Sequence, residues 1–135
     1  MYEIRVEHTF SAAHALTIGS AVEPLHGHDW RVRVTLAGSQ LDADALLCDF
    51  HTVENALRDV CKPYHNRTLN DAPPFSEGVN PSAERVAKAI ADELQTRIGD
   101  ALAPHARIVS VSVTEAPGCE ATYRPEHARA SEGGA

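Results

Sequence analysis

Two stretches in the first third of the chain alternate apolar and polar residues. Residues 2–10 read YEIRVEHTF and residues 26–36 read HGHDWRVRVTL, so every second side chain in each stretch is apolar, aromatic or histidine. Successive side chains of a strand point to opposite faces of a sheet, and such alternation is typical of a strand buried on one face. The pattern therefore predicts two antiparallel strands, joined by an irregular segment over residues 15–25.

Two later segments have apolar residues at intervals of three and four, which predicts two helices. We expect the first helix over residues 49–61 and the second within residues 80–99, with a loop rich in Asn, Pro, Gly and Ser between them. Each helix has a candidate N-cap and a stop signal, which are Asp49 and Pro63 for the first, and Asn80 or Ser82 and Gly99 for the second. The apolar face of the first helix should comprise Phe50, Val53, Leu57 and Val60.

The last part of the chain predicts a β-hairpin. An alternating strand runs to Glu115, residues 117–118 mark a turn, and a short strand ends near Tyr123. We expect a single domain over residues 1–125 and a flexible C-terminal tail over residues 126–135. The order of elements predicts an α+β fold, with two helices on one face of a four-stranded antiparallel sheet. Because such a sheet has two exposed edges, we expect the chain to form an oligomer.

Composition excludes several classes of function. The net charge is −7 and no basic run exceeds two residues, which argues against nucleic-acid binding because phosphate contacts need clustered Lys and Arg. No apolar stretch is long enough to span a bilayer and the N-terminus does not resemble a signal peptide, so we expect no membrane contact and a cytoplasmic location. The cysteines lack C-x-x-C spacing, so each is expected to be a small buried hydrophobe; they are Cys48, Cys61 and Cys119.

Three histidines carry the candidate chemistry. His26 and His28 share the apolar face of their strand, and His14 joins them if the first strand continues past Phe10 with the same parity. Three imidazoles with a fourth position left open form the usual donor set of a catalytic zinc site. The alternative is that each is a core histidine bonded to a backbone group, but an H-x-H pair with a third neighbouring histidine favours the metal.

Glu115 repeats the pattern with a carboxylate. It shares its parity with Val109, Val111 and Val113, which places it at the end of an apolar face, where an unpaired charge is costly. A heterocycle with adjacent N–H and amino donors would suit it as a bidentate partner. An equally weighted alternative is that Glu115 faces solvent or pairs with a nearby arginine, either Arg107 or Arg124.

Six motifs in this order, FSAAHAL, LHGHDWRVRVTL, LCDFHTVENAL, LND, NPSAERVAKAI and VSVTEAPG, are similar to those of the 6-pyruvoyl- and 6-carboxy-tetrahydropterin synthase family. The resemblance extends from Tyr2 to about Arg124. It implies the tunnelling fold, in which the sheets of three subunits form a barrel and two trimers stack into a hexamer. It further implies a substrate of the 7,8-dihydroneopterin triphosphate kind, Glu115 as the anchor of the pterin ring, and zinc held by His14, His26 and His28.

Two departures from the family pattern concern catalysis. The bacterial catalytic cysteine is absent, and Glu23 stands in an E-x-x-H-G-H spacing that resembles the branch in which glutamate replaces it. The alternative is a solvated loop carboxylate. The usual D-H-x-x-L-N motif is H-N-R-T-L-N here, so His65 takes the aspartate position and Asn66 the histidine position. His65 could act from its shifted place or could only cap a loop.

The sequence thus predicts a zinc-dependent lyase that acts on a dihydropterin side chain. Zn²⁺ would serve as a Lewis acid, Glu23 as the base, and His65 as an auxiliary acid or base. The expected product is 6-hydroxymethyl-7,8-dihydropterin, a precursor of folate, with 6-carboxy- or 6-pyruvoyl-tetrahydropterin as alternatives. An alternative of another class is a protein that binds zinc or pterin without catalysis. The expected partners are the small pterin and identical subunits, as a trimer or hexamer.

Overall fold

A computed structural model describes residues 1–126 of the chain. Within this part the chain forms strands and two α-helices, which are β1 (Tyr2–His14), β2 (Thr17–Ile18), β3 (Ala21–Val22), β4 (His26–Gly38), α1 (Phe50–Cys61), β5 (Arg67–Thr68), α2 (Ala83–Leu102), β6 (Arg107–Ala116) and β7 (Cys119–Tyr123). Short 3₁₀ turns follow β5, at Leu69–Asp71 and Phe75–Glu77. Apart from Glu126, the predicted flexible tail lies outside the described residues.

The sheet has the strand order β5-β1-β4-β6-β7. The four predicted strands, β1, β4, β6 and β7, pair antiparallel with their neighbours. The fifth strand, β5, was not predicted, because two residues are too few to show alternation; it pairs parallel with Ala12 and Ala13 of β1. The segment over residues 15–25, predicted to be irregular, contains the small β2–β3 hairpin.

Both helices begin where their capping residues predict. The Asp49 carboxylate accepts a hydrogen bond from the His51 N–H at 2.8 Å, and the Ser82 hydroxyl accepts one from the Arg85 N–H at 3.2 Å. The predicted end of α2 at Gly99 is wrong, because the helix continues to bury Leu102 and ends before Pro104.

Phe50 was also expected on the buried face of α1, but it is 49% exposed. It is the first residue of the helix, ahead of the turns that pack on the sheet, so its side chain lies outside the core.

The helices cover one face of the sheet, which confirms the α+β architecture. The core packs Phe10 and Trp30 from the sheet against apolar side chains of α1 and α2 such as Leu57, Ile90 and Leu94. Burying such side chains contributes about 1.5–3 kcal/mol each. The opposite face is polar and carries cross-strand contacts, so this single chain has one covered face and one open face.

Val109 does not share the core face with Val111 and Val113, contrary to the simple alternation. Ser110 pairs with Thr35 but Ile108 pairs with Leu36, so Val109 is the extra residue of a β-bulge. A bulge inserts one residue and shifts the parity of everything before it. Ile108 therefore takes the buried position, and Val109 is only partly buried.

The cysteines are not all buried as expected. Cys61 is buried in the core, Cys48 is partly buried, and Cys119 is exposed at the start of β7. Burial raises the pKa of the Cys61 thiol to about 12, and burial, followed by the charge of Asp49, raises the pKa of Cys48. Neither of these two thiols is therefore prepared to act as a thiolate at neutral pH.

No α-helix found in residues 1–126 combines the length and the apolar character that a bilayer crossing needs.

The sheet edges lead to a prediction about assembly. Within the described residues, β1 has a strand partner on its outer side only at Ala12 and Ala13, and β7 has none on its outer side. Unpaired edges of this length favour pairing with another chain. We expect sedimentation to show a particle of three or six chains. A single monomeric species at micromolar concentration would contradict this expectation.

Candidate metal centre

Three imidazoles meet at the end of the β1–β4 pair. The register places His14 directly opposite His26 and Ala12 opposite His28, so all three histidines lie on the helix-covered face. The ring centroids are 4.7 Å apart for His14 and His26, 5.2 Å for His14 and His28, and 4.9 Å for His26 and His28. One ligand atom from each of these rings and one from Glu115 all lie within 4.8 Å of one another.

Backbone carbonyls orient two of the rings. His14 Nδ1 lies 2.8 Å from the Pro81 carbonyl oxygen, and His26 Nδ1 lies 2.8 Å from the Pro24 carbonyl oxygen. A carbonyl oxygen can only accept, so each Nδ1 donates, and Nε2 of the neutral ring keeps its lone pair. Metal-binding histidines are usually held in this way by a hydrogen bond from the other ring nitrogen.

The buried Nε2 atoms fit a cation. Nε2 of His14 and Nε2 of His28 are buried and have no hydrogen-bond partner within the described residues. They lie 2.8 Å and 3.1 Å from Glu115 Oε1, but these contacts do not have hydrogen-bond geometry. Buried polar atoms are nearly always satisfied, and a positive ion would satisfy two ring nitrogens and a carboxylate together. Three imidazoles with one carboxylate suit Zn²⁺ or a similar transition metal ion.

Trp30 supports the imidazoles from the core. Its ring is fully buried and stands edge-on to His14, at 4.9 Å between centroids, and to His28, at 5.7 Å. Its Nε1 donates to the Ala12 carbonyl oxygen at 3.1 Å, which fixes the indole against β1. The strand pattern predicted burial of Trp30 but gave no signal for this supporting position.

Glu115 faces the imidazoles, and within the described residues it forms no ion pair with Arg107 or Arg124. The alternative of an arginine partner is therefore wrong. A second bulge, between Thr114 and Ala116, makes Glu115 the extra residue of its strand and increases the local bend of β6. Its proposed contact with a pterin ring remains a prediction.

Glu23 is held near the cluster. It follows β3, and its Oε1 accepts a hydrogen bond from the Leu16 N–H at 3.0 Å, while its own N–H donates to the Leu16 carbonyl at 2.9 Å. Oε1 lies 4.0 Å from His26 Nε2, and the Glu23 side chain is only 29% exposed. A freely solvated loop carboxylate would lack both the hydrogen bond from the Leu16 N–H and the approach to His26 Nε2, so that alternative does not describe Glu23.

His65 lies apart from the three imidazoles. Its Nδ1 accepts a hydrogen bond from the Ser11 N–H at 3.3 Å, at the outer edge of β1. Burial, and then the charges of His65 and Arg58, lower the pKa of His8. The structure of this chain does not bring His65 to the candidate metal centre, so its role in catalysis remains a prediction.

Two open cavities border His28. One of about 830 Å³ is lined by Glu115, by Cys119, which the sequence predicted to be buried, and by two residues with no predicted role, Asp29 and Arg31. The other, of about 510 Å³, is lined by Gly27 and by Arg67 of β5. Long-range contacts bring these residues together, so only Arg31, as a local cation near the H-G-H motif, could have been suspected from the sequence.

Comparisons with known proteins agree with this arrangement. A sequence model of the 6-pyruvoyl tetrahydropterin synthase family matches residues 3–126. The 6-carboxy-5,6,7,8-tetrahydropterin synthase of Bacillus subtilis (strain 168) is 32% identical over 130 residues, which cover 93% of this chain and 86% of that protein.

Solved structures support the same fold. The 6-pyruvoyl tetrahydropterin synthase of Caenorhabditis elegans superposes with a TM-score of 0.79 at 19% identity, covering 93% of this chain and 96% of that one. A Plasmodium vivax 6-pyruvoyltetrahydropterin synthase, in which a glutamate described as a catalytic residue is replaced by alanine, superposes with a TM-score of 0.77 at 22% identity, covering 92% of this chain and 97% of that one.

The fold is that of an α+β protein with a cluster of candidate metal-binding side chains at one end of its sheet. The chain belongs to the 6-pyruvoyl tetrahydropterin synthase family. The single-chain fold that the family resemblance implied is confirmed by the structural neighbours, and its assembly into a barrel stays a prediction.

The geometry of the centre predicts the effect of removing one ligand. Replacing His28 by alanine should lower metal affinity at least about tenfold, because it leaves two of the three ring nitrogens expected to hold the metal. Elemental analysis of the purified protein should then find most of the metal gone. His51→Ala is the matched control, since His51 is exposed at the start of α1. Full retention of metal by the His28 variant would contradict the assignment.

Proposed function

We propose that this chain is a zinc-dependent lyase that acts on 7,8-dihydroneopterin triphosphate or a close relative and cleaves the side chain to 6-hydroxymethyl-7,8-dihydropterin. The observation that carries the proposal is the convergence of the ring nitrogens of His14, His26 and His28 with the Glu115 carboxylate, next to a second carboxylate, Glu23, 4.0 Å from His26 Nε2. A metal site flanked by a fixed carboxylate suits deprotonation of a bound hydroxyl.

The metal would be held by the three histidines. When bound, Zn²⁺ supplies a Lewis acid that makes the hydroxyls of the substrate side chain more acidic. Glu23 then accepts the proton of the C2′ hydroxyl through its carboxylate. The C1′–C2′ bond breaks, C2′ leaves as the aldehyde carbon of the triphosphate-bearing fragment, and a proton returns to C1′ to give the hydroxymethyl group. One of the Glu23 carboxylate oxygens is already occupied by the Leu16 N–H, so the group is oriented before substrate arrives. Orientation of this kind removes part of the entropy cost of the reaction.

Glu115 would bind the pterin ring through adjacent N–H and amino donors. The cavity of about 830 Å³ that it lines together with His28 gives the ring a place beside the metal. The Oε1 atom of Glu115 lies 2.8 Å from His14 Nε2 and 3.1 Å from His28 Nε2. A pterin ring bound by Glu115 would therefore bring the substrate side chain next to the metal.

The glutamate branch has support from a relative. In the Plasmodium vivax enzyme, the glutamate that was replaced by alanine is described as a catalytic residue. In this chain, Cys61 is buried in the core and Cys48 has a raised pKa, so neither offers the thiolate that a cysteine mechanism needs. Glu23 is the better candidate for the base.

A second candidate product is 6-carboxy-tetrahydropterin. The Bacillus subtilis relative that carries this activity in its name is 32% identical to this chain over almost its whole length. Cys119 is exposed and lines the same cavity as His28 and Glu115, which gives this alternative a thiol to test.

One assay separates these functions. Zinc-loaded protein should convert 7,8-dihydroneopterin triphosphate to 6-hydroxymethyl-7,8-dihydropterin, identified by its mass. A 6-carboxy or 6-pyruvoyl product would support the alternative activities instead. Binding of zinc and pterin with no loss of substrate would support the non-catalytic alternative and contradict the proposal.

Glu23→Gln tests the proposed base. The amide oxygen can still accept from the Leu16 N–H, so the variant should keep the shape of the hairpin while losing the basic group. We expect kcat to fall by about 10²–10⁴-fold, the usual size of general-base catalysis, with metal content unchanged. Steady-state kinetics and elemental analysis measure the two quantities.

The controls for this variant are Glu54→Gln, on the exposed side of α1, and Cys119→Ala. Both should keep kcat within about twofold of the original chain, because neither removes the proposed base. Full activity of Glu23→Gln would exclude Glu23 as the base and leave His65 or a thiol in its place, and loss of activity in Cys119→Ala would assign the role to that thiol.

A further inference from the structure

Two asparagine side chains hold the segment that joins the metal centre to the Glu23 hairpin. Asn70 accepts from the Ala15 N–H at 2.9 Å and donates to the Ala15 carbonyl at 2.8 Å. Asn80 does the same at Thr17, accepting from its N–H at 3.0 Å and donating to its carbonyl at 2.9 Å. Each amide thus replaces the pair of hydrogen bonds that a neighbouring strand would provide.

The residue between these two anchor points is Leu16, which contacts Glu23 directly. The Leu16 N–H donates to the Glu23 carboxylate, and the Leu16 carbonyl accepts from the Glu23 N–H. The Glu23 carboxylate is therefore positioned by a residue whose two chain neighbours are both fixed by side-chain amides.

The same turn also orients a candidate metal ligand. Asn80 is followed by Pro81, whose carbonyl oxygen accepts from His14 Nδ1 at 2.8 Å. Asn80 was one of two candidate caps for α2, but Ser82 provides the cap, which leaves the Asn80 side chain free for Thr17. Only an amide offers one acceptor and two donors at this length, which explains asparagine at both positions.

We propose that Asn70 and Asn80 are positioning residues that hold the Glu23 carboxylate at the metal centre. The proposal deepens the proposed function and rests on the role given there to Glu23. The asparagines do not touch the metal-binding nitrogens and act through Leu16. The hydrogen bond to His14 is made by the backbone carbonyl of Pro81, beside the Ser82 cap of α2, and not by either amide side chain. Loss of the amides should therefore affect the step that uses Glu23 and leave metal binding intact.

The test uses the full-length zinc-loaded protein with Asn80→Asp and Asn70→Asp, each of which keeps the acceptor and removes the donor. Asn55→Asp, at an exposed position of α1, is the matched control. Asn80→Ala repeats the test in case the added charge disturbs α2. Hydrogen exchange should become at least about tenfold faster at the amides of Leu16 and Glu23 in the Asn80 and Asn70 variants, but not in the control.

Kinetics then decide whether the effect passes through Glu23. We expect kcat to fall about tenfold or more in Asn80→Asp, with KM and zinc content within about twofold of the original chain. In a Glu23→Gln background the same change should cause no further loss of kcat, since residues that act through one another are not additive.

Three results would overturn the proposal: unchanged exchange at Leu16 and Glu23, loss of zinc from the Asn80 variants, or an equal fall in kcat with and without the Glu23 carboxylate. The exchange measurement needs no substrate. If the original chain turns over none of the pterins tested, the proposed function fails, while exchange still decides whether the asparagines fix the Glu23 segment.

Discussion

The antiparallel pairing of β1 with β4 is the constraint on which the candidate site depends. Thirteen residues of each strand pair in one continuous register that ends with His14 opposite His26. Phe10 and Trp30 are partners in the same register, and both are fully buried with nearly parallel rings 6.1 Å apart. A slip of β1 by one residue would turn Phe10 and His14 to the face opposite Trp30, His26 and His28, and would break up the cluster. Burial of the aromatic pair therefore secures the geometry of the metal centre.

Loops from distant parts of the chain complete what the strands begin. Pro81 fixes the tautomer of His14, Asn70 and Asn80 fix the backbone beyond it, and Leu16 fixes Glu23. Each of these contacts is a hydrogen bond that involves a backbone group outside the five-stranded sheet. These hydrogen bonds therefore satisfy backbone groups and orient the site at the same time. An unpaired polar group buried there would destabilise the fold.

The two faces of the sheet contribute differently to the stability of the fold. The helix-covered face carries the core, whereas the open face carries polar pairs such as Arg33 with Glu7 and Ser11 with Asp29. Exposed ion pairs of this kind contribute only about 0–1 kcal/mol each to stability. The polar pairs of the open face therefore add little to the stability of the single chain. Both cavities beside His28 are also lined by Asp29, which belongs to this open face.

The sequence by itself determined the elements whose signals are local. Alternation gave the four main strands and the shared face of His14, His26 and His28, and capping residues gave the starts of both helices, because side-chain parity and end capping depend only on neighbours in the chain. It missed β5 and the two bulges in β6, because these interrupt the alternation on which the prediction relied.

Tertiary structure alone decided the partners. It brought Glu115 to the imidazoles rather than to an arginine, left His65 at the edge of β1, exposed Cys119 and assigned Asn80 to Thr17. The decisive hydrogen bonds join residues 55, 63 and 67 positions apart. No local pattern encodes such contacts, because they form only when packing of the helices on the sheet brings the loops over its end.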